Sequence, residues 1–331
     1  MGKTLTISVA AYNVESYIKE NIESILESSA KDDIEVFVVD DGGKDGTYEI
    51  AKGYEEKYPD IVHVVHKENG GYGSVQNYSI AHATGRYFKI LDGDDWMDTD
   101  GLTKLVEYLK TSDLDAVVTN YKKGPDKDNL KLIDFGVWFE MNKAVDPNTI
   151  EIPVSIGMWA LVFKTEILRK SGMVLPEHTL YTDRIYSTIP FTYVSKMIFL
   201  DVPVYCYRTG REGQSVSRES RIKHIDEYLS VTESICEHYE KDTRAHKEYL
   251  LAKSSKAYKV SVRALLLLPP TEENLKKIID YENRVKAESL DIYKKAAALN
   301  SRMGWVISFL RMTGYKGYWI LSKVPKSKID Y

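Results

Sequence analysis

Five short runs rich in apolar and β-branched residues punctuate the first 120 residues, and a helical stretch follows each of the first four. They are Leu5 to Ala11, Ile34 to Val39, Ile61 to Val65, Arg86 to Leu91 and Asp115 to Thr119. This alternation restricts the chain to an α/β architecture, because parallel neighbours need a long crossover and a helix supplies it. Ile34 to Val39 is almost uninterruptedly apolar, as a strand covered on both faces must be. Ile18, Ile22, Ile25 and Leu26 recur at helical spacing and predict one buried stripe. The expectation is a doubly wound, mostly parallel sheet with right-handed connections.

Two of these runs stop at acidic, glycine-containing turns, Asp40-Asp41-Gly42-Gly43 and Asp92-Gly93-Asp94-Asp95. Parallel strands place both turns along one edge of the sheet, where open α/β sheets bind ligands. Three carboxylates in one turn repel one another unless a cation sits among them. Hard oxygen ligands of this kind suit Mn²⁺ or Mg²⁺, which in turn hold diphosphates. A solvated turn or a helix cap is the plainer reading of the same tetrapeptide. The spacing Asp98, Asp100, Gly101, Glu107 resembles a calcium loop, but Trp96 at its first position offers no ligand. Asp98 and Asp100 are better placed to start the following helix.

Glycine-rich Asn69-Gly70-Gly71-Tyr72-Gly73 leads into a helix from about Ser74 to Ala83. Beyond the fifth strand, 122–129 reads as a loop and Leu130 to Trp138 as a further strand. Ile156 to Phe163 is an apolar run containing Trp159, followed by a short helix to Ser171, and Asp201 to Tyr207 reads as another strand. Long helical patterns then take over: Ile225 to Tyr239, His246 to Leu267 and Glu272 to Leu299. The expected domains are 1–220 and a helical region, 221–331.

A net charge of −4 argues against a nucleic-acid partner. Cys206 and Cys236 fit no metal or redox spacing and read as free thiols. Neither a secretory leader nor a membrane-spanning run is visible, so a cytoplasmic protein is expected. The tail offers a second possibility, peripheral contact with the inner face of the membrane. Arg302, Arg311, Lys316, Lys323, Lys326 and Lys328 interleave there with Trp305, Phe309, Tyr315, Tyr318 and Trp319. The plainer reading is a terminal helix packing its aromatics.

Taken in order, the segments Val39-Asp40-Asp41-Gly42-Gly43-Lys44-Asp45-Gly46-Thr47, the glycine loop with Asn77, and Gly85-Arg86-Tyr87-Phe88 running into Asp92-Gly93-Asp94-Asp95-Trp96 resemble the family 2 glycosyltransferases. The resemblance covers residues 1 to about 217. It implies the GT-A fold, a Rossmann-like sheet, and a nucleotide-diphospho-sugar donor, with UDP expected. Asp41 would accept from the nucleobase, flanked by Tyr12 and the backbone near Ala10. Asp92-Gly93-Asp94 matches the family's D-x-D motif. Asp94 would then ligate the metal, and Asp92 would contact ribose or a metal-bound water. Thr182-Asp183 stands where the family has Glu-Asp, which makes Asp183 the general base of an inverting transfer to a hydroxyl of a glycan or lipid-linked acceptor. Arg208 and Arg211 lie in a segment, Tyr207 to Ser217, that would cover the diphosphate. Trp159 and Thr182 would lie toward the acceptor. Departures are Gln76-Asn77 in place of Arg-Asn, Gly43 in place of Ser, and Ala10 in place of Pro. The expected role is in surface polysaccharide synthesis.

Two other readings compete. A sugar-phosphate nucleotidyltransferase would carry a basic glycine loop directly after the first strand, where this chain has Ala10-Ala11-Tyr12-Asn13. A non-catalytic carbohydrate-binding protein would have lost acidic residues that are all present here.

Overall fold

The computed structural model describes residues 2–211, 218–244, 247–298 and 300–324. Two compact units partition the chain, 1–212 and 213–331. In the first, the elements run β1 (Leu5–Ala11), α1 (Glu15–Leu26), β2 (Ile34–Asp40), α2 (Thr47–Lys57), β3 (Val62–His66), α3 (Tyr72–His82), β4 (Tyr87–Asp92), β5 (Trp96–Met97), α4 (Thr99–Thr111), β6 (Ala116–Gly124), β7 (Lys131–Ile133), β8 (Ala144–Val145), β9 (Leu161–Lys164), α5 (Thr165–Lys170), α6 (Asp183–Tyr186) and β10 (Met197–Arg208). The strand order is β3-β2-β1-β4-β9-β6-β10-β5, with β7 on β6 and β8 on β10.

Strands β1 to β4 are parallel to one another. All seven residues of β2 are buried, as its apolar run demands. Ile18, Ile22 and Ile25 of α1 join Leu5, Ile7, Val9 and Val36 in one core. β9 enters antiparallel between β4 and β6. Because β2 and β4 flank β1, the chain turns to opposite sides of β1. The carboxyl ends of β1 and β4 therefore form the switch point at which such sheets bind ligands.

Three local expectations need correction. The loop expected at 122–129 begins later, because β6 continues to Gly124. Lys122 and Lys123 pair with Cys206 and Tyr207 on one side and with Leu132 and Lys131 on the other. A ladder on both edges holds a charged strand end that its composition alone would not. Only Lys131–Ile133 of the strand expected over 130–138 is paired. Asp134 then caps a short 3₁₀ turn, accepting from Gly136 N at 2.7 Å. In the second unit, the helix expected over 272–299 is broken at Ser289.

That unit consists of α7 (Arg218–Lys223), α8 (Ile225–Lys241), α9 (Glu248–Leu265), α10 (Glu272–Glu288), α11 (Leu290–Ala296), α12 (Arg302–Met312) and α13 (Tyr318–Leu321). Ser289 ends α10 and caps α11, its hydroxyl accepting from Ile292 N at 3.3 Å. A buried carboxylate, Glu282, would be costly alone. Arg311 meets it at 2.7 Å and also donates to the Tyr293 carbonyl and the Tyr258 hydroxyl. One guanidinium thus joins α9, α10, α11 and α12. Both cysteines are buried thiols. Among the described residues, no helix is long and apolar enough to cross a membrane.

Candidate active site

The acidic turn after β4 is held from three sides. Gly93 N donates to the Ala10 carbonyl of β1 at 3.0 Å. A Cβ on Gly93 would sit 2.7 Å from that same oxygen, so the glycine serves close approach to β1. Asn21, buried on α1, donates to the Asp92 and Asp95 carbonyls at 2.9 Å each. From β10, the Tyr205 hydroxyl donates to Asp95 Oδ2 at 2.5 Å and accepts from Asp92 N at 3.1 Å. Ligand oxygens of Asp92, Asp94 and Asp95 lie within 4.8 Å of one another.

The three carboxylates are not equivalent. Asp95 is fully buried and both its oxygens are taken, by Tyr205 and by Arg208 N at 2.7 Å. Asp92 lies near the Tyr72 phenol, whose hydroxyl donates to Met158 Sδ at 3.0 Å, and Asp92 Oδ1 is buried without a hydrogen-bond partner. Burial first, then the Asp94 and Asp183 carboxylates, push Asp92 up to about 8. Asp95 is held well above the carboxylate range by burial first, then by the Asp92 and Asp94 carboxylates. Arg211 beside Asp94 leaves these three acids net negative, and Asp92 Oδ1 with the Asp94 carboxylate fits a hard divalent cation.

Asp183, at the start of α6, belongs to this neighbourhood, since its charge acts on Asp92, Tyr72 and Tyr207. Tyr181, two residues before it, adopts a left-handed φ of 64°, uncommon for a bulky residue and typical of constrained sites. Thr182 is buried, and its hydroxyl has no hydrogen-bond partner. The glycine loop positions this segment. His178 N donates to the Gly70 carbonyl at 2.6 Å, and Asn77 exchanges two hydrogen bonds with Leu175.

Asp41 organises that loop. Its carboxylate accepts from Lys67 Nζ at 2.9 Å, Asn69 Nδ2 at 3.1 Å, Gly70 N at 2.9 Å and Gly71 N at 2.7 Å. Both oxygens therefore already accept hydrogen bonds within the protein. Nearby, Asp45 accepts from Glu15 N while Glu15 accepts from Gly46 N, tying the turn after β1 to the turn after β2. Tyr12, just past β1, is 51% exposed.

The two arginines separate. The Arg208 guanidinium lies over the Tyr17 and Trp96 rings, donates to the Asp94 carbonyl at 2.8 Å and pairs with Glu20. It supports the acidic turn. Arg211 Nε stands 2.8 Å from Asp94 Oδ2 with its side chain one-third exposed, so it faces the cluster. Ser215 and Ser217, expected to complete this loop, lie outside the described residues.

Residues 6–165 match the profile described as Glycosyl transferase family 2. The chain carries a family 2 glycosyltransferase domain. EpsJ of Bacillus subtilis, described as an uncharacterized glycosyltransferase, is 28% identical over 62% of this chain and 60% of its own length. The poly(ribitol-phosphate) beta-glucosyltransferase of Bacillus spizizenii is 26% identical over 64% of this chain and 33% of its own. This chain thus spans less than two thirds of the length of these relatives. The structure of S. aureus TarS 1-349 in complex with UDP-GlcNAc superposes with a TM-score of 0.70 at 18% identity, over 97% of this chain and 90% of that one. At that identity the likeness is one of fold, and the fold is GT-A.

The domain also uses residues that carried no signal in the sequence. Tyr205 is hydrogen-bonded to the acidic turn, Tyr72 stands near Asp92, and Lys89 lies fully buried in β4. Lys89 donates to the Trp159 carbonyl at 2.7 Å and sits over the Tyr205 ring. It therefore braces the turn that carries Trp159, whose indole packs between Tyr121 and Tyr207. Burial lowers Lys89 from 10.5 to about 7. Between these values the unfolded chain holds a proton that the folded chain has lost, so stability rises with pH there. Below about 7 both states are protonated and the cost of the buried cation is fully present. Lys89→Met should remove that rise, worth up to about 1.4 kcal/mol per pH unit. Urea unfolding of both proteins at a series of pH values checks this; equal slopes would contradict it.

Proposed function

We propose that the chain is a metal-dependent, inverting glycosyltransferase that moves a sugar from UDP-sugar to a hydroxyl of a glycan or lipid-linked acceptor. The observation that carries this reading is the pairing of an acidic cluster, Asp92 and Asp94, with a further carboxylate, Asp183, whose charge acts on the same half-buried Tyr72. Mn²⁺ or Mg²⁺ held by Asp94 and Asp92 would supply countercharge for the departing diphosphate. Arg211, beside Asp94, would add a second positive charge there. Tyr12 offers an exposed ring for the base, and Asp41 fixes the loop beside it.

Asp183 takes the proton from the acceptor hydroxyl as that oxygen attacks the anomeric carbon. The bond from that carbon to the diphosphate oxygen breaks on the opposite face, and its electron pair leaves with UDP. One displacement inverts the centre. Thr182 and Trp159 lie toward the acceptor in this reading. The names of the relatives favour a surface polymer as acceptor.

A thermal-shift and hydrolysis screen over nucleotide sugars, with Mn²⁺, Mg²⁺ or chelator, tests the proposal. A UDP-sugar at about 100 times its Kd should add roughly 2.7 kcal/mol of stability, a rise of a few degrees, and only with metal. A full shift in chelator, or a response confined to another nucleotide, would overturn the reading.

A further inference from the structure

The α12–α13 segment keeps Ile307, Leu310 and Tyr318 buried. Its exposed side chains sort into only two kinds. Trp305, Met312, Trp319 and Ile320 are apolar; Arg302, Lys316 and Lys323 are basic. No Asp or Glu occurs anywhere from 300 to 324. Trp305 is 58% exposed and Met312 77%. Seven residues apart on α12, they share one stripe. Arg311, the remaining cation, is turned inward onto Glu282 and takes no part in this surface.

Scattered exposed apolar residues are ordinary, but a short segment exposing only large apolar and basic groups is not. We propose that the exposed side of α12–α13 docks on an anionic phospholipid surface. Basic side chains meet the headgroups, while tryptophan rings suit the boundary between headgroup and acyl chain. Charge decides against a second copy of the same surface, because two copies would bring like charges together with no carboxylate between them. This inference is independent of the sugar-transfer reading.

The test is co-sedimentation of the full chain with phosphatidylcholine vesicles, with and without phosphatidylglycerol. Binding is expected to the anionic vesicles. Each basic side chain near such a surface contributes about fivefold. Replacing Arg302, Lys316 and Lys323 together by Gln should therefore cost on the order of a hundredfold. A Trp305→Ser/Ile320→Ser variant should lose binding through the apolar contribution, with its UDP-sugar thermal shift unchanged. Wild-type protein left in the supernatant, variants that bind as wild type, or a wild-type dimer in sedimentation velocity that the variants lose would each overturn the proposal. None of these outcomes bears on transfer, which the thermal shift follows separately.

Discussion

Asp183→Asn is expected to bind UDP-sugar as the wild type does and to lose about 10²- to 10⁴-fold in transfer to acceptor, the usual contribution of a general base. The substitution keeps size and removes only the proton acceptor. Asp183 starts a four-residue helix, α6, and is half-buried, so little of the core depends on it. Its charge helps raise Asp92, so the variant should also relieve repulsion within the acidic cluster. Metal affinity should stay level or fall slightly while turnover collapses. Acceptor turnover set against UDP-sugar calorimetry separates the two effects. Wild-type turnover in the variant would assign the base elsewhere.

Asp94→Ala should abolish metal-dependent donor binding and leave the fold intact. A metal ion contributes several kcal/mol where charge develops, so loss of its ligand should weaken UDP binding in Mn²⁺ by more than about a hundredfold. The cost to folding is small because the Asp94 partner, Arg211, is one-third exposed and can turn to water. Asp95→Ala contrasts with it. That change strips both the Tyr205 hydroxyl and Arg208 N of a buried acceptor, and destabilises the turn itself. Calorimetry of UDP with Mn²⁺, alongside thermal melts of both variants, distinguishes a ligand from a support. Unchanged UDP affinity in Asp94→Ala would remove Asp94 from the metal site.

The local features were legible because each rests on neighbouring residues. The apolar runs of β1 and β2 and the stripe of α1 read directly as strands and helix. Asp98 was legible as a helix start, and it accepts from Gly101 N at 2.9 Å. Long-range pairing was not legible. Lys122 and Lys123 read as loop because only β7 and β10 make them a strand. Ser289 looked compatible with a continuous helix until its hydroxyl served as a cap.

The site divides in the same way. Order and spacing along the chain determined the family, the fold class and the acidic turns, since strand, turn and helix are set by residues a few positions apart. Which carboxylate is free depended on tertiary structure. Tyr205 reaches Asp95 across 110 positions of sequence and Arg208 across 113, and Asp41 spends its oxygens on a loop nearly 30 residues away. An aspartate's chemistry follows from its burial and its donors, and those are brought to it by the sheet.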